Sequence, residues 1–415
     1  MVKNFPKNFL WGSATSSYQV EGGIENNDWA SCCDPKLQWA SLQNFAMMPI
    51  VGGVPCAGRA TDHYNLYEKD FDIAKKLNHN AHRFSIEWSR IEPEEGKFDE
   101  KEIEHYRKVL QALRDRGIEP FVTLWHFTLP TWFAKIGGFE NPKAPEIFAR
   151  YCGFVVGRLA ASAKAMASQE GTGAKFWMTI NEPMVYASKS YLKGVWPPFK
   201  RNFFAFKKVI KTLISSHLAS HNMIKKINPE LQVGIAKNNI YTKTNWNPLN
   251  QIICQTFNWF WNLRFLNAIT GFQDFIGLNY YHHFAPGIKE DLEKTEYMNW
   301  EIYPKGIYHL LRDLKRYNLP IYITENGLAD AKDTKREKFI KDHLRWVWQA
   351  IQDGVDVRGY FYWSLLDNFE WTDGFGPRFG LVEIDYETME RKIRPSAWEY
   401  AEICKNNQIV EFNDK

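Results

Sequence analysis

Several things are scarce in this 415-residue chain, and each scarcity removes a class of function. No stretch of 18 apolar residues occurs, so nothing reads as a membrane span. The opening residues Met1-Val2-Lys3-Asn4-Phe5-Pro6-Lys7 carry no apolar core of the kind a secretory signal needs, and the cytoplasm is the expected compartment. Charge of either sign is nearly balanced, 52 Lys and Arg against 48 Asp and Glu. A net +4 is too small to call for nucleic acid or an anionic membrane, and no basic cluster interleaved with aromatics stands out. The six cysteines (Cys32, Cys33, Cys56, Cys152, Cys254 and Cys404) are scattered, without C-x-x-C pairs or His-rich spacing. Neither a zinc site nor a disulfide framework is therefore expected.

What the chain has in excess is aromatic surface: 16% of residues, 17 of them Trp. Large cores use aromatics for packing. Flat rings also stack on the C–H faces of sugars, and composition leans slightly toward that second use. The 45% hydrophobic content is ample for a large core.

Eight apolar, β-branched or aromatic runs alternate with helical patterns. They are Phe9–Ala14, Ala81–Ile86, Pro120–Leu124, the run ending at Asn181-Glu182, Gln232–Ala236, Phe275–Asn279, the run ending at Glu325, and Val357–Ser364. Helical periodicity covers Tyr64–Asn78, Lys101–Arg116 (stopped by Gly117), Phe203–Asn228, Tyr303–Asn318 and Lys335–Gly354. Eight strand–helix units predict an α/β fold, a closed (β/α)8 barrel in which residues 1–415 form one catalytic domain with elaborated loops. An open doubly wound sheet is disfavoured, because no G-x-G-x-x-G follows the first run. Cys32–Ala60, with its apolar patch Phe45–Val51, shows no clear period, and the Ala/Ser/Gly-rich stretch Ala160–Ala174 is low in complexity, its first half able to extend a helix and its Gly-Thr-Gly end a loop.

Residues ending barrel strands face the active site. Two such ends carry glutamates beside asparagines, in Ile180-Asn181-Glu182-Pro183 and Thr324-Glu325-Asn326-Gly327. One Glu after one strand is usually a surface group or a helix cap. Two, each closing a buried strand, point to the acid and the carboxylate of glycosidic bond cleavage. Arg83 ends another apolar run and needs an acidic partner, which makes it either a structural ion pair or the group that keeps Glu325 ionised. Asn181 suits a sugar hydroxyl beside the reacting carbon, and the Tyr281 phenol suits Glu325. His126 is a candidate hydroxyl ligand, although a histidine in such a run is more often a satisfied core residue. Asp367-Asn368-Phe369-Glu370-Trp371 sets a carboxylate beside an indole, a combination able to grip a sugar by hydrogen bonding and stacking.

These motifs resemble glycoside hydrolase family 1, the β-glucosidase family, almost from end to end. The likeness covers Phe9-Leu10-Trp11-Gly12, Tyr18-Gln19-Val20-Glu21-Gly22, Arg83–Arg90, Thr179–Pro183, Gly277–Tyr281, Ile323–Gly327 and Trp363–Trp371. The resemblance implies a retaining double displacement without metal or cofactor, its two carboxyl groups about 5–5.5 Å apart. It casts Glu182 as acid/base and Glu325 as nucleophile. It assigns Gln19, His126, Asn181, Glu370 and Trp371 to the sugar pocket, Trp363 to its floor and Trp300 to the aglycone side, with Arg83, Asn279 and Tyr281 supporting the nucleophile. Glu at position 182 favours O-glycosides over thioglucosides, and Glu370 would repel a 6-phosphate. The expected substrate is a small β-glucoside, with β-galactosides and β-fucosides tolerated and transglycosylation at high acceptor concentration. The alternative is a sugar-binding module that has lost catalysis. The segment Tyr241–Gln273 is shorter than in many family members, which bears on aglycone specificity.

Overall fold

The computed structural model describes residues 2–33, 54–161 and 173–410. Eight parallel strands close into a barrel: β1 (Leu10–Ala14), β2 (Ala81–Ser85), β3 (Glu119–Thr123), β4 (Phe176–Asn181), β5 (Gln232–Asn238), β6 (Ile276–Asn279), β7 (Ile321–Asn326) and β8 (Val357–Trp363). Each strand pairs with its neighbours in chain order and β8 returns to β1, with Gly359 opposite Leu10 and Trp363 opposite Ala14. The main outer helices are α1 (His63–Lys76), α2 (Glu100–Asp115), α3 (Ala144–Leu159), α4 (Phe203–Ile227), α5 (Pro248–Phe257), α6 (Lys305–Leu314), α7 (Arg336–Gln352) and α8 (Pro395–Asn406). All eight expected strands are present within two residues of their predicted ends. The periodicity did not single out α3, α5 or α8.

Two cores result from the two-residue alternation of strands. Trp177, Val122, Ile321, Ile323, Tyr360 and Tyr362 point outward and pack under the helices. Ala14, Ala81, Phe121, Met178, Tyr322 and Phe361 point inward. Inside the barrel, Phe121 lies parallel to Phe176 with centroids 4.2 Å apart and meets Phe361 at 4.8 Å and Tyr322 at 5.0 Å. This aromatic plug closes the barrel below its C-terminal rim. Much of the aromatic excess is therefore packing.

The alternation breaks at two places, and both matter. Along β4, Phe176 and Met178 point inward, yet Ile180 belongs to the outer core, and the register with β5 shifts between Met178 and Asn181. Along β7, inward Tyr322 would send Glu325 outward, but the register with β6 shifts between Ile323 and Glu325. A bulge of this kind turns a side chain to the other face of the sheet.

One expectation about cysteine fails. Cys33 and Cys56 are paired, their Cα atoms 5.0 Å apart, while Cys32, Cys152, Cys254 and Cys404 are free. The two cysteines stand 23 positions apart in sequence, and only folding of the β1–α1 connection brings them together. The patch Phe45–Val51 and residues 162–172 of the Ala/Ser/Gly-rich stretch lie outside the described residues. The ends of that second stretch are tied together beside β4: Ala161 N donates to Ala174 O at 3.0 Å, and Ala174 N to Leu159 O at 3.0 Å.

Candidate active site

Glu182 is the first residue past β4 and sits in the left-handed region, φ 42° and ψ 60°, where only local structure can hold a residue with a Cβ. Strain of this kind costs about 1–3 kcal/mol and gathers at functional sites. Two restraints hold Glu182 there: its N–H donates to Ala236 O at 2.8 Å, and Pro183 begins the next helical turn. The side chain is 7% exposed, and Oε1 accepts from Asn279 Nδ2 at 2.8 Å. Burial, and then the facing charge of Glu325, push its carboxyl up to about 8.

Glu325, 4% exposed, accepts from donors on both oxygens. The Arg83 guanidinium pairs with Oε1, and the Tyr281 hydroxyl donates to Oε2 at 2.6 Å. Arg83 is fully buried and makes three further bonds: Nε to Thr123 Oγ1 at 3.1 Å, Nη1 also to Thr324 O at 3.3 Å, and Nη2 to Asn181 Oδ1 at 2.7 Å. Both glutamates are buried, but one faces a cation and a phenol while the other faces a carboxamide.

The same network sets the His126 tautomer. Asn181 Oδ1 is committed to Arg83, so its amide NH₂ faces His126 Nε2 at 3.1 Å. Nε2 accepts, and the ring proton sits on Nδ1. That atom is buried with no hydrogen-bond partner among the described residues, a donor left over for a ligand. Burial, followed by Arg83, keeps the imidazole well below its usual range and hence neutral. The His126 ring lies nearly parallel to Trp363 (6.1 Å) and Trp371 (6.0 Å).

These groups open onto one cavity of about 380 Å³, large enough for a sugar ring and part of its substituent. Gln19, His126, Asn181, Glu182, Tyr281, Trp300, Glu325, Trp363, Glu370 and Trp371 all line it. Arg83 lies behind Glu325, whereas Asn279, expected to support the nucleophile, instead donates to Glu182. Gln19 Nε2 points to the chain 368–370: 2.7 Å to Phe369 O, 3.0 Å to Asn368 Oδ1 and 3.4 Å to Glu370 Oε2. Burial first, then Asp373, Glu325 and Glu182, raise the Glu370 carboxyl well above its usual range. Trp300 meets the Tyr281 ring at 5.6 Å at the mouth.

The sequence reading missed Lys237. It is 1% exposed at the end of β5, and burial lowers its ammonium to about 7, with Glu182 the opposing influence. The signal was visible: a lysine closing the apolar run Val233-Gly234-Ile235-Ala236, as Arg83 closes its own. Lys189 and Asp373 also line the cavity and face one another electrostatically, joined there by Trp196 and Trp261. These four come from loops and helices whose approach no local pattern announces.

The sequence model of glycosyl hydrolase family 1 matches residues 1–251 and 262–409. The chain belongs to glycosyl hydrolase family 1. Among family relatives, β-glucosidase A of Thermotoga maritima is 34% identical over 99% of this chain and 100% of its own length. A β-galactosidase of Pyrococcus woesei is 30% identical over 98% of each. The solved β-glycosidase from Pyrococcus horikoshii superposes with a TM-score of 0.84 at 37% identity, covering 99% of this chain and 97% of its own. This family 1 protein is an O-glycosyl hydrolase, and no helix among the described residues is long and apolar enough to cross a membrane.

Proposed function

We propose that this family 1 enzyme is a retaining exo-β-glycosidase that removes the terminal β-D-glucosyl residue of small glycosides and oligosaccharides and also accepts β-galactosyl and β-fucosyl groups. The observation that carries the proposal is the asymmetry of the two buried glutamates. Glu182, raised to about 8, is protonated at neutral pH and suited to protonate the leaving oxygen. Glu325, held by Arg83 and Tyr281, is suited to attack the anomeric carbon.

In the first step the Glu325 carboxylate forms a bond to the anomeric carbon as the glycosidic bond breaks, and the Glu182 proton leaves with the aglycone oxygen. Glycosylation neutralises Glu325, and the charge that raised the Glu182 carboxyl disappears. Glu182, left as a carboxylate by that transfer and no longer facing a second charge, takes a proton from an incoming water as general base. The hydroxide so formed displaces Glu325, and the configuration is retained after two inversions. A sugar or alcohol in place of water gives transglycosylation.

His126 Nδ1, Gln19, Glu370 and Trp371 support binding of O3, O4 and O6 of one terminal sugar, with Trp363 beneath it and Trp300 on the aglycone side. Names of the relatives support both glucose and galactose as the glycone. In this reading residues 1–415 act as a single catalytic domain. The cytoplasm is its compartment, supported by four free cysteines and opposed by the Cys33–Cys56 pair; thiol titration of protein from its native host decides between them.

The test is 4-nitrophenol release from the β-glucoside and β-galactoside by wild type and by Glu325→Gly, with and without azide. Turnover by wild type, silence of the variant and azide rescue to the α-glycosyl azide support the reading. Inert wild type with saturable sugar binding would leave only a binding module.

A further inference from the structure

The even charge balance of the whole chain conceals a sharp local excess. Between Pro183 and Gln273 stand twelve Lys and Arg and one acidic residue, Glu230, so the rest of the chain is net negative. Residues 252–261 of this segment fall between the two stretches that the family model matches. The reading that found no basic cluster among aromatics is corrected here: Lys200-Arg201-Asn202-Phe203-Phe204-Ala205-Phe206-Lys207-Lys208 interleaves the two within the chain itself.

Among the described residues, the segment also holds the four most exposed large apolar side chains. Trp246 is 96% exposed, Phe204 82%, Leu249 64%, Ile252 59%, Phe203 55% and Trp259 54%. Leu249 and Ile252 follow helical spacing on the outer face of α5, whose inner face buries Cys254. Rings link this helix's far end to the start of α4: Phe204–Phe203 at 6.2 Å, Phe203–Phe206 at 6.3 Å and Phe206–Phe260 at 6.0 Å. Through buried Phe206 these contacts anchor the exposed rings at the start of α4 to the turn that follows α5, and exposed apolar groups gathered in this way mark an interaction site.

Cations surround this surface. Lys200 and Lys243 pair with Glu140 and Glu290. Arg201, Lys207, Lys208 and Lys211 are exposed, and no carboxylate among the described residues forms an ion pair with them. Lys207 Nζ stands 5.6 Å from the Phe203 ring, so charge and apolar surface are in direct contact.

We propose that this face, the start of α4 with α5 and the turn that follows it, docks peripherally on an anionic lipid bilayer. Exposed Trp, Phe, Leu and Ile flanked by unpaired Lys and Arg match what the headgroup–acyl boundary of such a bilayer attracts. A second copy of this chain would bring like charges together. Single-stranded nucleic acid would use the rings for stacking but leave Leu249 and Ile252 exposed to water. Trp261, two residues beyond Trp259, lines the catalytic cavity, so docking sets the cavity mouth beside the membrane surface.

The test is co-sedimentation of the full chain with vesicles of phosphatidylcholine alone and of phosphatidylcholine mixed with phosphatidylglycerol, at low and high salt. Binding is expected to the mixed vesicles, weakening as salt rises. The triple variant Lys207→Ala/Lys208→Ala/Lys211→Ala should lower the partition constant about 100-fold, from the roughly 1 kcal/mol that each cation contributes near such a surface. Phe204→Ser/Trp246→Ser/Ile252→Ser should abolish binding while hydrolysis of soluble 4-nitrophenyl glycosides is unchanged, which separates this proposal from the catalytic one. It is overturned if wild type ignores mixed vesicles at low salt, if neither variant changes binding, or if the apolar variant instead dissolves a dimer seen in sedimentation velocity.

Discussion

Replacing Glu182 by Ala tests the acid/base assignment most directly, because the structure sets both the size and the substrate dependence of the loss. With its carboxyl raised to about 8, Glu182 is about 90% protonated at pH 7, against about 0.3% for a carboxyl at 4.5. Burial and Glu325 together thus enlarge the acid form about 300-fold. That advantage serves only a leaving group that needs a proton. For a disaccharide or alkyl glycoside, Glu182→Ala should lower the rate of glycosyl-enzyme formation by about 10²–10⁴, or about 2.7–5.4 kcal/mol. For 2,4-dinitrophenyl glycosides, whose phenolate departs unaided, that step should be nearly unchanged and hydrolysis of the intermediate should limit the rate. Azide should then accelerate turnover and give the β-glycosyl azide. The pH profile provides the second readout. Protonated Glu182 is the active form for the first step, so wild-type kcat/KM should fall as pH rises through about 8, and the variant should lack that limb. Equal losses on activated and unactivated substrates, with the alkaline limb intact, would refute the assignment.

Lys237→Met should move the alkaline limb little, because a lysine lowered to about 7 is largely neutral where Glu182 titrates near 8; a clear upward shift in the kcat/KM profile would show that the lysine is charged there. Tyr281→Phe removes the 2.6 Å hydrogen bond to Glu325 Oε2. A hydrogen bond to a charged group contributes about 1.5–3 kcal/mol, so kcat/KM on the 4-nitrophenyl glucoside should drop about 10- to 150-fold with the Tm little altered.

Physical chemistry explains which parts were legible. Alternating buried runs and amphipathic helices depend on local sequence, and they sufficed for eight strands and the barrel. Glu182 and Glu325 stood out because a charged residue closing an apolar strand conflicts with burial unless it has work to do. Arg83 carried the same conflict, as did the overlooked Lys237. Helix α5 gave a weaker signal: its apolar residues face outward, so its pattern did not read as a core helix.

Tertiary structure alone decided which way the functional groups point. Strict alternation along β7 would turn Glu325 toward the helices, and along β4 it would turn Ile180 inward. Register shifts against β6 and β5 reverse both, and pairing with a neighbouring strand cannot be read from one strand. The carboxyl of Glu182 rises because folding buries it and sets Glu325, 143 positions away, facing it, and the His126 tautomer follows from Arg83 through Asn181. The Cys33–Cys56 pair and the approach of the basic, aromatic start of α4 to the turn after α5 likewise depend on distances that the chain sets only when folded. The sequence by itself determined the barrel, the family and the chemical identity of the site residues, because these follow from short-range pattern. Their orientation, charge states and shared surfaces came from long-range packing.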